Sequence, residues 1–242
     1  MDSDDREPEP SKIRNNPNNW PCFRICVGAV DGSHVYAHVE GDPSRWRNRK
    51  GYLSRNVLAV VCYTYVLPRY KGSCHDGRVL VAGYQRGFTA AEGRYYLVDA
   101  EYPLAPRTLT PYRGVRYHLR EQVAYGQPPE SAKELFNLCD SQLRNVVERS
   151  VEAFKGRIQV FDTEPEFSLE VQSDLVLVCT ALRNVMDRLQ GKETLTGKDM
   201  MAMEDETNDF GAIKVKEEAE RASDALKQSK MSEMRDTMAE EM

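Results

Sequence analysis

Ile25-Cys26-Val27-Gly28-Ala29-Val30-Asp31-Gly32-Ser33-His34 decides the reading of the chain. Its first six residues are an apolar run of strand length. Asp31-Gly32 follows and can turn the chain. Val35-Tyr36-Ala37-His38-Val39 then alternates like a second short strand. A carboxylate therefore stands where a buried strand meets polar sequence.

Toward the C-terminus, residues 41–55 make a polar loop dense in Arg. Val57 to Leu67 is rich in β-branched and aromatic residues, which favours strand. It is long for one strand; a hairpin is the alternative, though no Gly, Asn or Asp supplies an obvious turn. Gly72 to Gln85, with Val79, Leu80 and Ala82, predicts a helix ending at Gly87. Tyr95-Tyr96-Leu97-Val98 predicts a strand that stops at Asp99. Pro103, Pro106 and Pro111 make 102–115 a loop. Residues 131–158 predict a long helix, with Leu143, Val147, Val151, Phe154 and Ile158 on one face. Ser131 caps its start and Glu134 completes a capping box. Leu169 to Leu189 predicts a second amphipathic helix carrying Val171, Leu175, Val178, Leu182 and Val185. This order of elements argues for an α/β fold, a mixed sheet with helices packed on it.

The flanks read differently. Residues 1–22 are a polar leader, broken by Pro and charge, with the composition of disorder. Residues 191–242 carry 8 basic against 14 acidic side chains, a net −6, and few large apolar residues. They read as an acidic tail, disordered or a frayed helix. The whole chain of 242 residues is −5, so the body between them is mildly basic, which suits a polyanionic partner. No run approaches the roughly 18 apolar residues of a membrane span. The acidic N-terminus is no secretory signal. Six Cys are too sparse for a disulfide scaffold. Cys22-x3-Cys26 and His34-x3-His38 mimic zinc-ligand spacing, but the stretch between them is shorter than the about twelve residues a finger wants.

Three acids sit where chemistry would use them: Asp31 and Asp99 at strand ends, and Glu148 beside the buried stripe of the long helix. Converging at a sheet edge, they can hold two divalent cations that activate water at a phosphodiester. Carboxylates suit Mg²⁺ or Mn²⁺. The plainer alternatives are turn aspartates and a helical Arg144–Glu148 pair. Arg45-Trp46-Arg47-Asn48-Arg49-Lys50 can neutralise phosphates while Trp46 stacks or wedges against DNA; the alternative is a solvated basic loop. Arg113 and Arg116, with Arg120, offer a second phosphate-facing cluster.

The wording around these acids resembles the PIF/Harbinger transposases. The resemblance begins at Val27-Gly28-Ala29-Val30-Asp31-Gly32-Ser33-His34. It continues through Arg47-Asn48-Arg49-Lys50-Gly51-Tyr52, Lys71-Gly72-Ser73-Cys74-His75-Asp76-Gly77-Arg78 and Tyr95-Tyr96-Leu97-Val98-Asp99-Ala100-Glu101-Tyr102-Pro103. Pro111-Tyr112-Arg113-Gly114, Lys133-Glu134-Leu135-Phe136-Asn137, Leu143-Arg144-Asn145-Val146-Val147-Glu148-Arg149 and Ala181-Leu182-Arg183-Asn184 complete it. It runs from about residue 25 to 190 and marks 23–190 as a DDE endonuclease domain.

The resemblance implies a ribonuclease-H-like mixed sheet flanked by helices, a Mg²⁺ or Mn²⁺ site and metal-dependent cleavage of DNA. It assigns the catalytic and metal-binding triad to Asp31, Asp99 and Glu148. Asp76 is a fourth family acid, secondary to the triad as a supporting group or helix cap, and His34 and His75 lie beside family acids. It further implies a nuclear location, with the cytoplasm as the alternative, and a separate Myb-like DNA-binding partner. Glu101 replaces a usual Gly, and the hairpin after Val61 is short for the family. These departures motivate a second reading, a non-catalytic nuclear protein that keeps the fold to bind DNA or protein.

Overall fold

In the computed structural model, which describes residues 13, 15, 19–60, 64–115, 129–161, 163–189 and 217–242, the apolar run does not stop at Asp31-Gly32. Strand β1 spans Cys26–Tyr36 without a break. It pairs antiparallel with β2 (Ser54–Val60) at seven successive positions, from Val30 opposite Val60 to Tyr36 opposite Ser54. The expected turn is overridden because ladder hydrogen bonds on this scale outweigh a local Asp-Gly preference. Asp31 is thus a mid-strand residue.

The run from Val57 is indeed two strands. β2 pairs antiparallel with β3 (Val66–Lys71), with a register shift between Asn56 and Leu58. The short connection expected after Val61 falls on residues 61–63, outside the described residues. Helix α1 (Asp76–Gln85) starts four residues later than expected. The His75 ring Nδ1 caps it, accepting from the Gly77 N–H at 3.1 Å. A turn precedes it in which Gly72 is pressed against its neighbours, since a Cβ there would lie 2.3 Å from Ser54 Oγ and 2.5 Å from the Trp46 carbonyl oxygen.

β4 (Tyr95–Leu97) is followed by β5 (Thr108–Leu109), a short parallel partner inside the stretch expected to be all loop. Helix α2 (Ala132–Lys155) carries the expected buried stripe at Val147, Val151 and Phe154. Ser131 Oγ accepts from the Glu134 N–H at 3.3 Å, while Glu134 Oε2 accepts from the Glu130 N–H at 2.9 Å. Helix α3 covers Leu169–Leu189 as expected. A further helix, α4 (Glu217–Glu241), lies in the tail that was expected to be disordered or frayed.

The strand order is β3-β2-β1-β4-β5, a mixed sheet flanked by helices. This α/β architecture is consistent with a ribonuclease-H-like fold. Among the described residues no helix is long and apolar enough to cross a membrane.

Two units share the chain. The first takes residues up to Val27, Thr89–Leu143 and those from Met201 on. Its core gathers Phe23, Phe136 and Tyr112, with ring centroids 5.4 and 5.5 Å apart about Phe136. Asn137, wholly buried, accepts from the Tyr112 N–H at 2.8 Å and donates to the Tyr112 carbonyl at 3.0 Å. The end of α4 joins this core rather than fraying. Met238 is 6% exposed, the Tyr112 hydroxyl donates to Asp236 at 2.6 Å, and the Arg235 guanidinium lies 4.1 Å over the Tyr112 ring. One aromatic ring holding a cation and a carboxylate supplies what the sparse apolar residues of the tail lack.

The second unit takes Gly28–Phe88 and the residues from Arg144 to Met200. Side chains alternate across β1, so Asp31, Ser33 and Val35 share one face and Gly32, His34 and Tyr36 the other. α1 covers the second of these faces, with Gly83 packed over Leu58. α3 is fastened to β2 through Arg55, whose guanidinium donates to Ser173 Oγ at 2.6 Å, the Leu169 carbonyl at 2.7 Å and the Pro68 carbonyl at 3.1 Å. The stripe expected to pack inward points outward instead: Val171, Val178, Leu182 and Val185 are exposed, and Gln172, Ser173, Val176, Thr180 and Asn184 are buried. A buried guanidinium demands oxygen acceptors, and the side of α3 that carries Ser173 adds a hydroxyl to the Leu169 and Pro68 carbonyls.

Candidate active site

The second unit opens into a cleft of about 690 Å³ along Asp31–His34 of β1. Four carboxylates line it (Asp31, Asp76, Glu148 and Glu152), and so do four cations (Arg47, Arg49, Lys50 and Lys155). Acid and base are thus matched in one concave place, as a bound phosphate with its counter-ions would need.

Each acid is placed by its element. Asp31 is half-buried, and its Oδ1 accepts from the Gly32 N–H at 2.9 Å. Asp76 opens the first turn of α1, where the helix dipole favours an anion. Its Oδ1 accepts from Asn56 Nδ2 at 2.5 Å. Asn56 is wholly buried and also donates to the Cys74 carbonyl at 2.9 Å; its Oδ1 has no hydrogen-bond partner among the described residues. Asp76 stands over Gly32: a Cβ on that residue would lie 2.6 Å from Asp76 Oδ1. Only glycine leaves this carboxylate room beside the neighbour of Asp31.

Glu148, Glu152 and Lys155 recur at i, i+4 and i+7 and so share one face of α2. Glu148 and Glu152 are exposed to the cleft. Lys155 Nζ donates to the His34 carbonyl. His34 Nδ1 is 3.0 Å from Ser54 Oγ. Burial pushes this imidazole below its usual pKa against the pull of Asp76, and Lys155, Lys50 and Arg49 push the same way. Burial thus favours the neutral form of His34.

The basic wall is a tight loop. Arg47 donates to the Gly51 carbonyl at 2.8 Å, and Asn48 Oδ1 accepts from the Lys50 N–H at 2.9 Å. Arg45 is exposed, and its carbonyl accepts from the Ser73 side chain at 2.6 Å. Trp46 departs from the expected role. It is 7% exposed, with the Arg55 guanidinium 5.5 Å and Lys71 Nζ 5.9 Å from its ring centroid. An indole packed this way anchors the loop and is not presented for stacking on a base.

Asp99 belongs to the first unit, at the end of β4, half-buried, with Oδ1 accepting from the Ala100 N–H at 2.5 Å. Arg113, expected to face phosphate, spends its guanidinium on this turn instead. It donates to the Ala100 carbonyl at 2.7 Å and the Tyr102 carbonyl at 3.0 Å. Glu101 is exposed between them. Arg116 and Arg120 lie outside the described residues.

The second unit thus brings Asp31, Asp76 and Glu148 to one cleft, and sets beside them three groups that sequence reasoning missed, Glu152, Lys155 and Asn56. Glu152 and Lys155 carried a signal in their helical spacing from Glu148. Asn56 carried none, being an ordinary strand residue until its partner is known. The donor set is all hard oxygen, which fits a small divalent cation. Among the described residues no three His, Cys, Asp or Glu side chains close into a metal-holding group. Alternation along β1 gives a reason, since Asp31 is directed to one face and Asp76 stands over the other.

A family model described as DDE superfamily endonuclease matches residues 30–184. No curated protein and no solved structure matches the chain.

Proposed function

The chain belongs to the DDE superfamily of endonucleases, and from that premise we propose a divalent-metal-dependent DNA endonuclease or strand-transfer domain of a Harbinger-type transposase or its domesticated derivative. The observation that carries the reading is the cleft of the second unit. There the family carboxylates Asp31 and Glu148 share one cavity with Arg47, Arg49 and Lys50.

Asp31, Asp99 and Glu148 would hold Mg²⁺ or Mn²⁺, with Asp76 in support. Bound there, the ions would lower the pKa of the attacking water and stabilise the leaving 3′-oxygen. The protein's own groups supply the rest. Arg45, Arg47, Arg49 and Lys50 neutralise backbone phosphates, on a loop that Trp46 anchors. Asn56 orients Asp76. Lys155 ties the edge of β1 to α2 through the His34 carbonyl. Arg113 holds the turn that follows Asp99. Arg116 joins the phosphate contacts in this reading, the chain works in the nucleus, and a Myb-like partner brings it to its target sequence.

The test is Mn²⁺ binding followed by spin resonance, with nicking of supercoiled DNA read in parallel. Wild-type protein should bind Mn²⁺ and nick. Asp31→Ala, Asp99→Asn and Glu148→Gln should each lose both while unfolding cooperatively. An Asp99→Asn protein that nicks normally would end the triad assignment. DNA binding that ignores all three substitutions, with no cleavage under any metal, would instead establish the non-catalytic reading.

A further inference from the structure

Helix α3 is inverted relative to its pattern: its polar side is buried and, among the described residues, its apolar side is exposed. Val171, Leu175, Val178, Leu182, Val185 and Leu189 recur at alternating spacings of four and three. That is the a/d repeat of a two-helix seam, with Val171, Val178 and Val185 at d and the leucines at a. Leu175 is half-buried, while Val178 is 55% and Leu189 83% exposed. The seam runs for about 27 Å at 1.5 Å per residue. A contiguous apolar strip of this kind on a folded protein marks an interaction site.

We propose that this face is a self-association surface, on which a second copy of the chain docks its own α3 antiparallel. The argument lies in the positions flanking the seam. An antiparallel pair about a two-fold axis at Thr180 sets Val171 against the second copy's Leu189, Leu175 against its Val185 and Val178 against its Leu182. Each layer then joins an a position to a d position. On one flank of the same register, Asp174 meets Arg188 of the other copy, twice by symmetry, with small Ala181 at the axis. Both charged residues are exposed. On the other flank, Cys179 meets its own copy at the axis. A parallel pair brings Asp174 opposite Cys179 and gains no charge match. Symmetric complementarity about one axis is what an isologous contact requires and what a foreign helix would not need.

Sedimentation velocity of the full chain over a wide concentration range tests the surface. Wild type should show a reversible monomer–dimer equilibrium. Leu182→Glu should abolish the dimer and leave cooperative unfolding intact, because the replaced side chain is exposed. Asp174→Arg and Arg188→Asp should each raise the dimer Kd about tenfold by placing like charges together, and the double exchange should restore it. A short bis-maleimide should link two wild-type chains and fail to link Cys179→Ser chains. Three results overturn the proposal. They are a monomer at every concentration, a dimer indifferent to Leu182→Glu, and a double exchange that restores nothing. A monomer that Leu182→Glu destabilises would show that the chain's own residues cover the face, which also overturns it.

Discussion

Gly32 and Asn56 illustrate how little tolerance the acidic cleft has at single positions. The Asp76 carboxylate occupies the space a side chain at Gly32 would need, and one buried amide holds it there. Gly32→Ala should drive Asp76 off Asn56 and weaken Mn²⁺ binding, with the fold retained, as circular dichroism and metal titration would show. Asn56→Ala removes the donor and leaves Asp76 and the Cys74 carbonyl without it, so urea unfolding should register a loss of about 1–3 kcal/mol. Arg113 offers a contrast. Its charge matters less than its planar fork, which spans two carbonyls of the turn after Asp99. Arg113→Lys should therefore behave nearly as badly as Arg113→Ala, lowering stability by about 1–2 kcal/mol, because an ammonium cannot reproduce a bidentate contact. A thermal melt in which Lys restores wild-type behaviour would remove that role. At this scale Asp31, Asp76 and Glu148 stand out in the chain as candidate acids, and the structure lines one cleft with all three. The partners that aim them were not, because Asn56 and Asp76 meet only through the pairing of strands.

Among elements, the instructive case is α3. Its period was legible and its bounds came out as expected, yet the apolar stripe faced the other way. Hydrophobic periodicity reports that two sides differ; it does not say which side the rest of the molecule claims. Arg55 settles the matter here. Burial lowers the pKa of this guanidinium to about 10, and its hydrogen bonds run to neutral oxygens of β3 and α3. Arg55→Ala should release α3 from the hairpin and cost about 1–3 kcal/mol, because the Ser173 hydroxyl and the Leu169 and Pro68 carbonyls lose their donor. Hydrogen exchange should then quicken along Leu169–Thr180 before it changes in α1. β1 teaches a similar lesson in the opposite direction. Asp31-Gly32 has turn chemistry, but seven consecutive pairs with β2 keep it extended. β5 was invisible for a third reason, since two residues between prolines carry no period.

On the scale of the whole molecule, charge and connectivity govern behaviour. The body is basic and the flanks acidic, so DNA affinity should fall steeply with salt. Arg49→Ala should flatten the slope of log K against log salt by about 1, while Arg113→Ala leaves it unchanged. The α/β class was legible from the order of elements. The closing role of the tail was not, because Asp236, Arg235 and Met238 find Tyr112 and Tyr95 only across long separations. Removal of residues 231–242 should expose both tyrosines and lower the melting temperature of the first unit markedly, which tyrosine fluorescence would follow.

Those separations also impose an order of events on a newly made chain. Tyr95 waits 143 positions for Met238, and Tyr112 waits 124 for Asp236. During synthesis the three antiparallel strands of the second unit, contiguous within Gly28–Phe88, can pair while the aromatic cluster of the first is still open. An emerging polypeptide thus carries Tyr95 and Tyr112 as sticky surface until residues 235–238 leave the ribosome, and that interval is when a chaperone has most to do.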